Sequence, residues 1–418
     1  MKRRVLFVFI DAFGPRQQER FGARLAQFKY RRSLKGVLGY TSGALPAILT
    51  GTAPCIHGRA CLFSCAATQD SLLSPLGWLG LLPSVIHEQP RLRQWASQWL
   101  KKKRGFTGYL DLHKVPPDLF KYFDLPEKED LFYAKEIGGQ PTFLQQARAA
   151  GLSVFAAPWQ LPEKERWRKV HEELAHTAPD LTFLYAAELD RVLHAEGNRG
   201  SQAEQVIADI SANIERAQEC LQSKPGELLT IIVGDHGMSD VLAHVDPTTV
   251  TQHFQPGSVF VDATMIRFYG TPQDIDLSEK LIADASWPGT FLREEGLRAA
   301  EFPTTGSPFG KAIFVLDEGV SFSPSFLGKA PQGMHGYTSE FESHAAAISA
   351  DAPLPEGLHS LTDLSGWVLD SLNLESAKGR KSPENDKALV PSAYASKKSV
   401  YEIPHLGMQK SQSLRTDI

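Results

Sequence analysis

Three apolar runs in this 418-residue chain share one design, and together they restrict its fold more than any other feature. VLFVFID ends at Asp11, LTFLYAAELD ends at Asp190, and LLTIIVGDHG passes through Asp235. Each is rich in residues suited to a strand buried on both faces, and helical patterns lie between them. That alternation argues for an α/β fold, a mostly parallel central sheet with helices on both faces. The clearest helix is expected after Gly200. There SQAE, Ser201 to Glu204, has capping-box spacing, and Val206, Ile210, Ile214, Ala217 and Leu221 line one face until KPGE stops it. A second helix is expected over TFLQQARAAG, ended by Gly151 and leading into the strand LSVFAAP.

In open α/β sheets, ligands bind beyond the carboxyl ends of the strands. Asp residues at three such ends would therefore converge in one crevice. Imidazoles travel with them: His194 lies four residues after Asp190, and His236 adjoins Asp235. His335 stands between Gly residues in GMHG, just before another strand-like run. Singly, each has a plain explanation as a surface pair, a hydrogen-bonded histidine or a turn residue. As a set, three carboxylates and three imidazoles are six oxygen and nitrogen donors of the kind that holds two divalent cations.

The segment GYTSGALPAILTG, residues 39–51, places Thr41 and Ser42 side by side ahead of Pro46 and reads locally as a Gly/Ser/Thr-rich loop. The question it raises is whether that loop carries a nucleophile. The order Asp11, Thr41 upstream of ILTG, Asp190 with His194, Asp235-His236-Gly237-Met238, then Gly333-Met334-His335-Gly336 resembles the alkaline phosphatase superfamily. Within it the chain looks most similar to the type I phosphodiesterase/nucleotide pyrophosphatase branch. The resemblance implies one metal held by Asp190, His194 and His335, and another held by Asp11, Asp235, His236 and the oxygen of Thr41. It implies Thr41 rather than Ser42 as nucleophile, because that residue stands ten positions before the Gly of the TG step, here Gly51. It also implies in-line displacement through a phosphothreonine, with two divalent ions as cofactors, zinc first and manganese as an alternative.

The pattern has departures. The relatives usually carry TxPN at the nucleophile, whereas Pro46 comes five residues after Thr41; they also place an Asn downstream, where this chain reads HGRACLFS. Arg59, or a residue of the cap, is expected to take over contact with a phosphoryl oxygen, and Ser42 is a candidate substrate-side neighbour. Neither hydroxyl has the CxPxR context of a sulfatase. A phosphodiesterase-like hydrolase acting on a small anionic phosphoester is the favoured reading. A phosphomonoesterase or phosphomutase of the same superfamily is the alternative, and a catalytically silent metal-holding binding protein is the alternative from another class.

Around this catalytic domain, residues 1–374, two insertions are expected: a cap over 59–135, where the βα rhythm breaks, and a β-rich subdomain over 240–330. The subdomain's runs SVFVDATMIRFYG and GKAIFVLDEGVSF look like hairpins. In the cap, Arg91, Arg93, Lys101, Lys102, Lys103 and Arg104 interleave with Trp95 and Trp99. They read as the solvated face of an amphipathic helix with both Trp residues packed inward; steering of an anionic substrate or contact with a membrane surface is the alternative. His57, in TAPCIHG, reads as structural or as a support to the site. From Glu375 the apolar periodicity is lost, and eight Lys/Arg against five Asp/Glu suggest a disordered tail over 375–418.

A net charge of -4 and a pI near 6.4 argue against nucleic acid as the main partner. The basic start MKRR precedes only six apolar residues, Val5 to Ile10, with no small-residue cleavage site, so a first strand is expected rather than a signal peptide. No run reaches the ~18 apolar residues of a membrane span. Four unevenly spaced cysteines, Cys55, Cys61, Cys65 and Cys220, suit reduced thiols near the core and a cytoplasmic location.

Overall fold

Side chains along the first strand alternate between two separate cores. Val5, Phe7 and Phe9 enter one, and Leu6, Val8 and Ile10 enter the other. A strand buried on both faces is what the sheet of an α/β fold requires. The computed structural model describes residues 3–66, 71–304, 306–326, 328, 330–338 and 344–374. Its principal strands are β1 (Arg3–Ile10), β2 (Tyr30–Leu34), β3 (Val154–Ala156), β4 (Leu181–Ala186), β5 (Glu227–Val233), β6 (Val259–Val261), β7 (Met265–Phe268), β8 (Gly289–Leu292), β9 (Ala312–Leu316) and β10 (Ala346–Ala350).

The central sheet has the order β2-β10-β5-β1-β4-β3. Strands β3, β4, β1 and β5 run parallel, with Phe7 opposite Phe183 on one side and Ile231 on the other. Strand β10 is antiparallel to both its neighbours, so the sheet is mostly parallel with a reversed edge. The principal helices are α1 (Thr41–Thr50), α2 (Pro90–Arg104), α3 (Phe143–Ala149), α4 (Glu163–His176), α5 (Glu188–Glu196), α6 (Gln202–Gln222), α7 (Pro272–Asp284) and α8 (Leu364–Ser371). Apolar residues of α1, α3 and α8 pack with Phe7 and Phe9, while those of α4, α5 and α6 pack with Leu6 and Val8.

The loop expected at residues 39–51 is a helix instead. Gly43 and Pro46 hide it from a sequence reading; Pro46 has no N–H to return to the carbonyl of Ser42 one turn back, yet burial of Ala44, Leu45, Ile48 and Leu49 holds the turns together. Gly51, in the left-handed region, ends α1 by bonding the carbonyl of Ala47. The helix expected after Gly200 forms, but its capping box does not. Ser201 has right-handed helical backbone angles and its side chain caps nothing, while Ile207 joins the buried face. The α3 helix is capped by Thr142, whose side chain accepts from the backbone N–H of Gln145.

In the region 240–330, β6 and β7 form the expected hairpin. The second run does not fold back on itself. Both edges of β9 are already occupied, by β7 and β8, so Val320–Phe322 pairs in parallel with Ala243–Val245. In the cap region, Phe63, Leu76, Leu79, Ala96, Leu100, Phe120 and Phe123 build a core of their own, joined by Phe260 of β6. Of the two Trp residues expected to face inward on α2, Trp99 packs against that core, whereas Trp95 is 55% exposed. Arg93 is the buried cation of that helix, its guanidinium donating to the carbonyls of His87, His113 and Val115. Cys61 is buried, but Cys55 is exposed rather than packed near the core. The expected tail lies outside the described residues.

Candidate metal centre

Asp11 follows the last residue of β1, Asp190 opens α5 four residues beyond β4, and Asp235 follows β5 by one glycine. The parallel neighbours β4, β1 and β5 thus deliver three carboxylates to one end of the sheet. His194 lies one turn along α5 from Asp190, and His236 adjoins Asp235. His335 comes from farther away: the two-residue strand Gly333–Met334 pairs antiparallel with Ser239–Asp240, just beyond His236. Gly336 then takes φ of +90°, and a Cβ there would stand 2.7 Å from the ring of Tyr40. Glycine is what lets His335 and Tyr40 share the space.

Ligand atoms gather into two groups, Asp190 with His194 and His335, and Asp11 with Asp235 and His236; within each, one donor atom per residue lies within 4.8 Å of the others. The imidazoles of His236 and His335 stack with centroids 3.6 Å apart, which joins the groups into one centre. Two histidines have their tautomers set by the backbone. His194 Nδ1 donates to the carbonyl of Gly333 at 2.8 Å, and His236 Nδ1 donates to that of Gly237 at 2.9 Å. Each therefore turns its Nε2 into the site.

The donor set fits cations better than it fits itself. Asp190 Oδ1 lies 3.2 Å from His194 Nε2, and Asp235 Oδ2 lies 3.1 Å from His236 Nε2, with both carboxylate oxygens buried. Buried carboxylate oxygens and imidazole nitrogens gathered this closely are a donor set that a divalent cation between them would suit. His335 Nδ1 is likewise buried without a partner. The charge balance is unsettled in the same way. Burial, then Asp235 and Asp190, hold the Asp11 carboxyl well above the usual carboxylate range. Burial opposes the charged form of His236, but Asp235 and Asp11 outweigh it and push that imidazole up to about 10. Burial and His236 press His335 well below its ordinary value.

Thr41 is the first residue of α1, with Tyr40 before it in extended conformation. Its Oγ1 lies 3.2 Å from Asp11 Oδ1 and 3.1 Å from His236 Nε2. Ser42 points elsewhere. Its buried Oγ has no hydrogen-bond partner and borders a small cavity with Pro46, Arg59, Cys61, Pro126, Glu127 and Leu131. Arg59 lines the same cavity and donates to the carbonyl of Pro126. His57 is buried at the far end of the segment; burial, then Arg59, push it down to about 3.

Three residues around the centre escape a sequence reading. Tyr185 donates to Asp11 Oδ2 at 2.7 Å, and Tyr40 meets the Thr264 hydroxyl at 3.0 Å while Thr264 donates to the carbonyl of His335 at 3.2 Å. Tyrosine in a strand reads as packing, and only the register of β4 against β1 brings Tyr185 to Asp11. The β6–β7 turn braces His335 through a pairing that no local pattern announces.

Residues 140–338 match the family model for type I phosphodiesterase / nucleotide pyrophosphatase. That stretch contains Asp190, His194, Asp235, His236 and His335, while Asp11 and Thr41 lie upstream of it. No curated protein matches the chain. Among solved structures, human ectonucleotide pyrophosphatase / phosphodiesterase 5 superposes with a TM-score of 0.61 at 16% identity, covering 89% of this chain and 96% of that one. The murine protein gives 0.62 at 16% identity, covering 89% and 95%. An inactive form of the murine protein in complex with AMP gives 0.60 at the same identity, covering 89% and 96%. Fold and family model agree with the order of motifs: this chain has the alkaline phosphatase-like fold of the ectonucleotide pyrophosphatase / phosphodiesterases, and its residues 140–338 carry the type I phosphodiesterase / nucleotide pyrophosphatase match.

Proposed function

We propose that the protein is a two-metal phosphodiesterase that works through a phosphothreonine at Thr41. Asp190, His194 and His335 would hold one divalent cation, and Asp11, Asp235, His236 and Thr41 the other. Zinc suits the mixture of imidazole and carboxylate best, and manganese also fits. When bound, the pair would lower the pKa of the hydroxyl and offset charge on the phosphoryl oxygens.

The observation that carries this reading is the position of Thr41 Oγ1 between Asp11 and His236, at the first turn of α1. A helix N-terminus offers unpaired backbone N–H groups to an anion, so the non-bridging oxygens of a phosphodiester have donors beside the nucleophile. Thr41 Oγ1 attacks phosphorus in line, the bond to the leaving oxygen breaks on the opposite side, and the phosphoryl group rests on threonine until water displaces it. Asp11 receives a hydrogen bond from the hydroxyl, and Tyr185 fixes that carboxylate from its other oxygen. The cap expected over 59–135 would select the leaving group, with Arg59 and Ser42, which line one small cavity, as substrate-side neighbours. All four cysteines are free, which supports a reducing, cytoplasmic setting.

Turnover of bis-p-nitrophenyl phosphate with added zinc or manganese tests the assignment. Thr41→Ala should abolish turnover while both metals remain, and Ser42→Ala should stay active. The reverse pattern would move the role to Ser42. A strong preference for p-nitrophenyl phosphate would replace the diesterase by a monoesterase, and inactivity toward every ester despite two bound metals would leave a binding protein.

A further inference from the structure

Residues 78–95 expose a concentration of large apolar side chains. Leu81 is 87% exposed, Val85 69%, Trp95 55%, Ile86 45% and Trp78 42%. These are five of the eleven large apolar residues exposed among the described residues, gathered into eighteen positions of sequence. A soluble surface scatters such residues singly; a concentration of this kind marks an interaction face. The segment is short-turned and largely exposed. A 3-10 turn (Ser74–Leu81) and a single helical turn (Ser84–His87) are joined by Leu82 and Pro83, and only Leu76 and Leu79 of the first are buried.

Charge accompanies the apolar tip. From Ser71 to Arg104 the chain has six Lys/Arg and one acid, Glu88, which Lys114 approaches at 3.5 Å. Helix α2 sorts these residues by face. Arg93, Ala96, Ser97 and Leu100 are buried, while Arg91, Trp95, Gln98 and Lys102 form an exposed stripe at i, i+4, i+7 and i+11. Lys103 and Arg104 follow at the helix end, also exposed, with Lys103 Nζ 4.7 Å from the centre of the Trp99 ring.

We infer that this face docks the protein on an anionic lipid surface, Leu81, Val85 and Ile86 entering among the acyl chains, Trp78 and Trp95 lying at headgroup depth, and Arg91, Lys102, Lys103 and Arg104 meeting lipid phosphates. A bilayer fits these features better than a folded partner does. Exposed apolar side chains flanked by cations need no complementary groove to enter lipid, and tryptophan and arginine prefer the interfacial zone. The inference goes beyond the proposed hydrolase activity and would hold whatever ester the site cleaves.

The test is co-sedimentation of the full chain with vesicles of phosphatidylcholine, alone or mixed with phosphatidylglycerol, at low and high salt. Binding should require the anionic lipid and weaken with salt. Arg91→Ala with Lys102→Ala and Lys103→Ala should lower affinity roughly a hundredfold, about fivefold for each cation. Leu81→Asp with Val85→Asp should lower it about tenfold or more. An unchanged thermal midpoint would show that each variant folds, and the two sets alter different chemistry, so failure of one to fold leaves the other decisive. Absence of binding would overturn the inference. So would binding that neither set weakens, which would place the contact on another part of the chain such as residues 375–418. A concentration-dependent dimer broken by Leu81→Asp with Val85→Asp, without lipid binding, would assign the face to a second copy.

Discussion

The Tyr185 hydroxyl donates a 2.7 Å hydrogen bond to Asp11 Oδ2, joining the ends of two adjacent parallel strands at the candidate metal centre. Asp11 uses its other oxygen toward Thr41, so a single carboxylate links the proposed nucleophile to a support from behind. Partners that orient a ligating carboxylate are typically worth about 10–100-fold in metal affinity or activity. Tyr185→Phe should therefore weaken metal binding and turnover by that order while leaving Thr41 in place. Competition with a chromophoric chelator would measure it; affinity equal to wild type would show that Tyr185 merely packs.

Gly234 links β5 to Asp235, and a Cβ built there would lie 2.0 Å from the carbonyl oxygen of Phe13. The clash is with backbone, so relief must come from separating the loops that follow β1 and β5. Those loops are joined where the N–H of Ala12 donates to Asp235 Oδ1 at 3.2 Å. Gly234→Ala should cost about 1–3 kcal/mol of stability and reduce metal content in dialysed protein, by elemental analysis, more than an alanine elsewhere on the sheet. Full metal content would mean that the loops part without disturbing the carboxylates.

Strands β1, β4 and β5 are legible in the sequence because burial on both faces leaves an unbroken apolar run, and the gathering of the candidate ligands is legible because acids and histidines at strand ends have few other reasons to cluster. The helical character of residues 41–50 was hidden, since Gly43 and Pro46 oppose a helix locally and only tertiary burial overrides them. Ser201 shows the opposite failure, correct capping chemistry on a backbone that does not adopt the cap. Trp95 was expected inside because a large aromatic usually packs, and position alone cannot reveal that the stripe beneath it is already filled by Ala96, Ser97 and the stem of Arg93. Tyr185 and Thr264 act through partners 174 and 71 residues away, a distance no spacing rule spans.

Arg267, on β7, and Asp262, just after β6, form a fully buried ion pair at 2.6 Å. The guanidinium also donates to the carbonyl of Phe63 and to the Tyr269 hydroxyl, both at 2.8 Å, so its charge is satisfied from cap and sheet together. Removing one partner of such a pair leaves a buried charge uncompensated, at about 3–5 kcal/mol. Asp262→Ala should show that loss in urea denaturation. Replacing both residues, Asp262→Ala with Arg267→Met, should restore a large part of it; no restoration would mean that the arginine's other hydrogen bonds carry the stability.

His57 gives stability a pH dependence whose sign can be worked out. Burial, then Arg59, hold its folded pKa near about 3, against an ordinary value of 6.5. The unfolded chain therefore binds a proton through the range where the folded chain cannot. With the folded pKa depressed, the contribution is fully present above pH 6.5 and is lost as pH falls from there toward 3. Between pH 7.5 and 5 the loss from this residue alone is about 2 kcal/mol by linkage. His57 Nδ1 accepts from the N–H of Arg59 at 3.2 Å, a bond that an asparagine oxygen can also accept. His57→Asn should thus lower stability at neutral pH yet flatten its decline toward pH 5, in urea unfolding at the two pH values. An equal decline in both proteins would show that other groups take up the proton.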